Sequence, residues 1–208
     1  YVMFVLKSRY GASPESQMER DMRALKEKGF RRFYDEVMAN LGEDYWNVTL
    51  PQTLQTSSNA APAFSVFLAA QCKMSENSFL GNGAKVRDLI ETADIHHLFP
   101  KKYLQDKGIT ATTRYNQVAN YAVLSKPVNI AIGEKPPYIY MKEIHDACAN
   151  GHESKYTTIK TLEDLDANCR QNCIPIDFKD MTSADYDRFL EQRRMLMAKK
   201  IKSYFYSL

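Results

Sequence analysis

Ala93-Asp94-Ile95-His96-His97-Leu98-Phe99-Pro100-Lys101-Lys102 sets two of the chain's four histidines side by side, where an alternating apolar run meets a proline. Some twenty residues later the chain reads Asn120-Tyr121-Ala122-Val123-Leu124-Ser125-Lys126-Pro127-Val128-Asn129. Residues 118–124 alternate weakly and are β-branched enough for a short strand. Pro127 then opens a helix that Gly133 stops. The stretch from 93 to 133 therefore predicts strand, loop, strand and helix.

Outward from it, helical spacing dominates. Ser13 or Ser16 caps a helix running to about Lys28, with Met18, Met22 and Leu25 on one face and Gly29 as its stop. Phe30, Phe33, Tyr34, Val37, Met38 and Leu41 then recur at helical spacing, a pattern that belongs to core far more often than to a ligand platform. Residues 43–60 are polar and irregular and predict a loop. Ala61 to Met74 predicts a buried helix, and residues 85–92 a short one that delivers the chain to the histidines. Beyond residue 100 come helices over 101–107, 138–149 and 161–173, then a closing helix from Thr182 to about Tyr206 with Tyr186, Phe189, Leu190, Met197, Ile201 and Phe205 inward. Its basic face is expected to be solvated. The fold class is α+β, predominantly α-helical. A small β element in such a chain breaks the local rule, and function gathers at such places.

Composition narrows the rest. The 208 residues suit one domain, 44% of them are hydrophobic, and the net charge is +3, so a polyanion-binding surface must be local. No apolar run is long enough to span a bilayer, and the opening residues are too short for a signal peptide. Four cysteines form no CxxC pair, and Cys169 and Cys173 read as buried thiols on a helix. These features predict a reduced, cytoplasmic protein without a membrane partner. The start on Tyr1, in mid-pattern, is expected of a piece of a longer chain.

Neighbours on an extended segment point to opposite faces, so His96 and His97 cannot readily hold one ion. They can divide labour, one binding metal while the other faces a phosphate. Phosphodiester hydrolysis needs that division: a neutral imidazole takes a proton from water, and a cation stabilises charge on the phosphoryl oxygens. A second metal ligand must come from another element, and Asn129 offers an oxygen at the start of the helix after the second strand. A histidine pair alone is more often a hydrogen-bonded structural feature.

The spacing sharpens the reading. His-His-hydrophobic-x-Pro, then Asn, then Asn nine residues on, resembles the His-Me finger (HNH) nucleases and their ββα-metal site. That resemblance puts His97 on the general base and His96 on the metal-ligand position before it. Asn120 falls on the residue that braces the loop and orients the base, and Asn129 on the final ligand. A wider likeness is carried by DIHHLFPKKYL, NYAVLSKPVNIAIGEKPPYIY, CIPIDF and YDRFLEQRRMLMAKKIK, with SRYGASPESQMERDMR near the start. Together they resemble the C-terminal nuclease domain of GmrSD-type, modification-dependent restriction proteins, over about residues 4–205.

The resemblance implies one nuclease domain over 1–208: helical scaffold in 1–92, a ββα-metal finger in 93–136 and a helical C-terminal part in 137–208. It implies a metal-dependent endonuclease acting on DNA in defence against phage or modified foreign DNA. It also implies a preceding nucleotide-hydrolysing, ParB-like domain that this chain lacks. Mg2+ is the expected cofactor. His96 stands where many members carry Glu or Asp, however, and an imidazole also admits Mn2+, Ni2+ or Zn2+. Asp94 is expected to back an imidazole rather than ligate. Lys101, Lys102, Arg114, Lys126 and Lys135 cluster in sequence around the site and are candidate contacts to DNA phosphates, although each singly is more often a surface cation. Tyr115 and Tyr121 are expected to pack, and His145 and His152 to lie outside the site. Two rival functions stay open: a non-catalytic binding or regulatory module on the same scaffold, and an RNA-directed nuclease.

Overall fold

Helices account for most of the chain, and one two-stranded sheet sits among them. The computed structural model describes residues 1–90 and 94–208, with Asp94 described by its backbone alone. Glu91, Thr92 and Ala93 therefore lie outside the described residues, as does the supporting role expected of the Asp94 side chain.

The N-terminal helices are α1 (Val2–Leu6) and α2 (Pro14–Met38), the latter broken inside at Gly29, whose φ of 76° no other residue type adopts cheaply. The stop expected at Gly29 is thus a break between two helical segments. The faces differ from expectation. Phe33 and Val37 are buried, whereas Phe30 and Tyr34 beside them are exposed; Met18 and Met22 are exposed too, since Asp21 takes the inward position of the first segment and holds Arg9, Tyr10 and Gln17 there. The polar stretch expected to be a loop contains a π-helical turn at Tyr45–Thr49 and α3 (Leu50–Thr53). Trp46, Leu50 and Leu54 bury there, and that apolar anchoring outweighs the polar residues between them.

After α4 (Pro62–Lys73) and α5 (Val86–Leu89), β1 (Asp94–His97) pairs antiparallel with β2 (Tyr121–Leu124), in the register His96 opposite Ala122 and His97 opposite Tyr121. Between the strands lie α6 (Lys101–Asp106) and the single turn α7 (Thr112–Tyr115). The rest comprises α8 (Lys126–Ile132), α9 (Pro137–Asn150), α10 (Leu162–Gln171) and α11 (Tyr186–Tyr206). Gly151 ends α9 in the left-handed conformation, as a glycine after a helix should. Cys173 lies beyond the end of α10 with φ of 55°, so Cys169 and Cys173 do not share a helix.

β2 is covered on its other edge, where the Phe79 N–H donates to the Val123 carbonyl at 3.0 Å. Beneath the sheet, Phe99 meets Phe178, Tyr186 and Phe189 at centroid separations of 5.0–5.6 Å. Each such ring contributes roughly 2–3 kcal/mol by burial. α11 packs along α3, α4 and the turn Val118–Asn120 that precedes β2. Its basic face is only partly solvated. Arg193 is 1% exposed, and Lys200 turns inward onto Glu76. Among the described residues no helix is long and apolar enough to cross a membrane.

Candidate functional site

The pleat of β1 sends the two histidines to opposite faces, as the alternation requires. His96 is 3% exposed and turns toward α8, where its Nδ1 lies 2.6 Å from Asn129 Oδ1. The edge of its ring meets Tyr140 at 6.4 Å between centroids. Burial drives the His96 pKa down to about 4, against a smaller upward pull from Asn129, so the imidazole is neutral at physiological pH. Its Nε2 is buried and has no hydrogen-bond partner among the described residues.

His97 is half-buried on the other face. Its Nε2 lies 2.8 Å from Asn116 Oδ1, and its ring packs edge-on against Tyr121 at 5.1 Å. Burial lowers its pKa, the Asn116 bond opposes that shift, and the nearby Lys101 ammonium lowers it further. With an amide oxygen as acceptor, Nε2 carries the ring proton and Nδ1 keeps its lone pair for chemistry.

Asn120 is fully buried, and its hydrogen bonds go to backbone. Its Oδ1 accepts from the Phe99 N–H at 2.8 Å, and its Nδ2 donates to the Phe99 and Tyr115 carbonyls, both at 3.1 Å. It ties the segment after β1 to the segment before β2. It therefore braces the loop, and the side chain that hydrogen-bonds the His97 ring is Asn116. Asn120 thus acts on the loop backbone, while Asn116 makes the hydrogen bond to the imidazole.

Three further residues shape the site and escaped the sequence reading. Asn116 sat in a polar stretch with no periodicity to single it out. The Tyr140 hydroxyl donates to the Leu98 carbonyl at 2.9 Å and so fixes the residue after the histidine pair. Arg193 donates to the Ala119 carbonyl at 2.8 Å and the Asn172 carbonyl at 3.3 Å, propping the turn that carries Asn120. Burial pulls its pKa down to about 10.

The five basic candidates separate. Lys101 holds its ammonium 5.2 Å from the centre of the Tyr115 ring, beside His97. Lys126 is exposed at the start of α8. Lys102 pairs with Asp106 and Arg114 with Asp187, both on the surface. Lys135 lies over the Tyr156 ring and bonds its hydroxyl. Tyr115 and Tyr121 are buried packing residues, His145 is half-buried beside Asp146, and His152 is exposed.

Among the described residues no group of three or more His, Cys, Asp or Glu side chains converges as a metal cage. The donors that do converge are the neutral His96 imidazole and the Asn129 amide oxygen, brought together from separate elements. A nitrogen and a neutral oxygen suit a divalent cation that takes its other ligands from water or a phosphate, and they add no carboxylate of the kind a hard Mg2+ site favours. As they stand, His96 Nδ1 donates its proton to Asn129 Oδ1, so the pair fits an open, two-ligand site once that hydrogen bond gives way to a shared ion. Comparison of the chain with protein-family models, with curated proteins and with solved structures found no match in any of the three.

Proposed function

We propose that this chain is a metal-dependent phosphodiesterase of the His-Me finger type that cuts DNA, with restriction of phage or modified foreign DNA as its setting. The observation that carries the reading is the meeting of His96 with Asn129 at 2.6 Å while His97, its chain neighbour, is held on the opposite face by Asn116. One pleat thereby separates a ligand from a base that must lie close together. The resemblance of the quoted motifs to modification-dependent restriction nucleases supports the choice of DNA over RNA.

In this reading His96 and Asn129 would hold a divalent cation, which when bound would supply charge neutralisation at the phosphate and leaving oxygens. The protein's own groups do the rest. Asn116 Oδ1 accepts a hydrogen bond from Nε2–H and so fixes the tautomer, and His97 Nδ1 takes a proton from the attacking water. Neither step needs a change of ring orientation. Asn120, Tyr140 and Arg193 hold the loop backbone on which the base stands. Lys101 is the cation best placed to meet a phosphate oxygen near His97, and Lys126 lies one helical turn before Asn129.

The test is nicking of supercoiled plasmid with added Mg2+, Mn2+, Ni2+ or Zn2+, against a chelated control. The same assay on structured RNA separates the RNA-directed alternative. His97→Ala should abolish cutting and leave the fold intact. Parental cutting by that variant, or no cutting by the parent with any of the four metals, would overturn the reading.

A further inference from the structure

We infer that the second segment of α2, from Phe30 to Met38, is a self-association surface on which two copies of this chain pair antiparallel about a two-fold axis near Tyr34. This inference does not rest on the nuclease reading.

The apolar part is a knob beside a hole. Phe30 is 72% exposed and stacks on Tyr34, itself 42% exposed, with 6.1 Å between ring centres. Tyr34 in turn lines a cavity of about 330 Å³ together with Met3, Met38, Phe205, Tyr206 and Leu208. Phe33 and Val37 turn into the core, and the neighbouring Phe30–Tyr34 edge is left exposed, with Met38 packed at the core's rim. Exposed apolar surface gathered at one place marks an interaction site more often than scattered residues do. In a two-fold dimer the same patch serves both partners, so a knob one turn from a hole is self-complementary: each Phe30 can enter the other copy's cavity.

Charge identifies the partner as a second copy in antiparallel order. The segment opens with Arg31 and Arg32 and ends with Asp35 and Glu36. This runs against the helix dipole, which favours acids at the start and bases at the end. The in-helix pair Arg31–Asp35 also runs in the weaker order, with the base first. The first choice is mildly unfavourable and the second only weakly favourable in a lone helix, and both improve when an antiparallel copy sets each basic start against an acidic end. On the helical wheel Arg31 and Asp35 share the flank next to Phe30 and Tyr34, whereas Arg32 and Glu36 point away. A two-fold axis brings like flanks together, so Arg31 of each copy meets Asp35 of the other. The existing Arg31–Asp35 contact of 3.2 Å holds side chains that are 89% and 56% exposed, so exchanging it for an intermolecular one costs little.

The experiment is sedimentation equilibrium of the full chain up to about 100 µM, where the parent should reach about twice its 23.9 kDa mass. Arg31→Glu alone and Asp35→Lys alone should each weaken association by about tenfold or more, since each sets like charges face to face. Mixing the two variants should restore it, because each charge-reversed flank then finds its complement, and so should the double variant Arg31→Glu/Asp35→Lys. Phe30→Asp, with helix content checked by circular dichroism, should give a monomer. A parent that stays monomeric throughout, or variants that mixing does not rescue, would overturn the inference.

Discussion

Asn116 and Asn120 offer the sharpest separation between holding the loop and holding the base. Asn120→Ala removes three buried hydrogen bonds at 2.8–3.1 Å. The Tyr115 carbonyl keeps a partner, since the Tyr186 hydroxyl donates to it at 3.2 Å. The Phe99 N–H and carbonyl lose theirs inside a buried turn. Two orphaned backbone groups cost about 1–3 kcal/mol each, so the variant should lose roughly 4 kcal/mol. For a chain of this size that is roughly 8–16 °C in melting temperature. Asn116 is half-buried and makes one bond, so Asn116→Ala should cost only about 1 kcal/mol. The effects on His97 should run the other way. Without Asn116 the ring loses its tautomer lock, and turnover should fall well beyond the small stability change. The assays are urea unfolding, 15N spectra of the histidine rings and single-turnover cutting. The parent should show His97 protonated at Nε2, and Asn116→Ala a mixture of tautomers. A stability loss below about 1 kcal/mol in Asn120→Ala, or an unchanged His97 spectrum in Asn116→Ala, would refute this division of roles.

His96→Ala and Asn129→Ala should weaken divalent-metal binding and cutting together, with excess metal restoring part of the activity; unchanged calorimetric titrations in both would remove them as ligands. Metal-free stability should also depend on pH through His96, whose folded pKa of about 4 lies below the ordinary 6.5. Below pH 6.5 the unfolded chain binds the proton first, so this contribution is complete above pH 6.5 and is lost as pH falls toward 4, about 3 kcal/mol in all. The difference in unfolding free energy between the parent and His96→Gln, followed over that range, should carry this slope. If the proposed reading holds, DNA affinity should fall about tenfold between about 50 and 200 mM salt through phosphate contacts from Lys101 and Lys126; a flat salt profile in a fluorescence anisotropy titration would contradict that.

The sequence by itself determined what local chemistry specifies. Pro127 and Gly133 bounded α8, Gly29 broke α2, and alternation in short apolar runs placed both strands, because these residues restrict their own backbone whatever surrounds them. It also determined that His96 and His97 face opposite ways, since the pleat has a period of two. The tertiary structure alone decided which partner each ring meets. Asn116 reaches His97 across 19 residues of chain, and Arg193 reaches Ala119 across 74. Neither separation leaves a periodic trace in the sequence. The exposed edge of Phe30 and Tyr34 was decided the same way. Helical spacing names a face, but only packing chooses which face the core takes, and here Phe33 and Val37 took it.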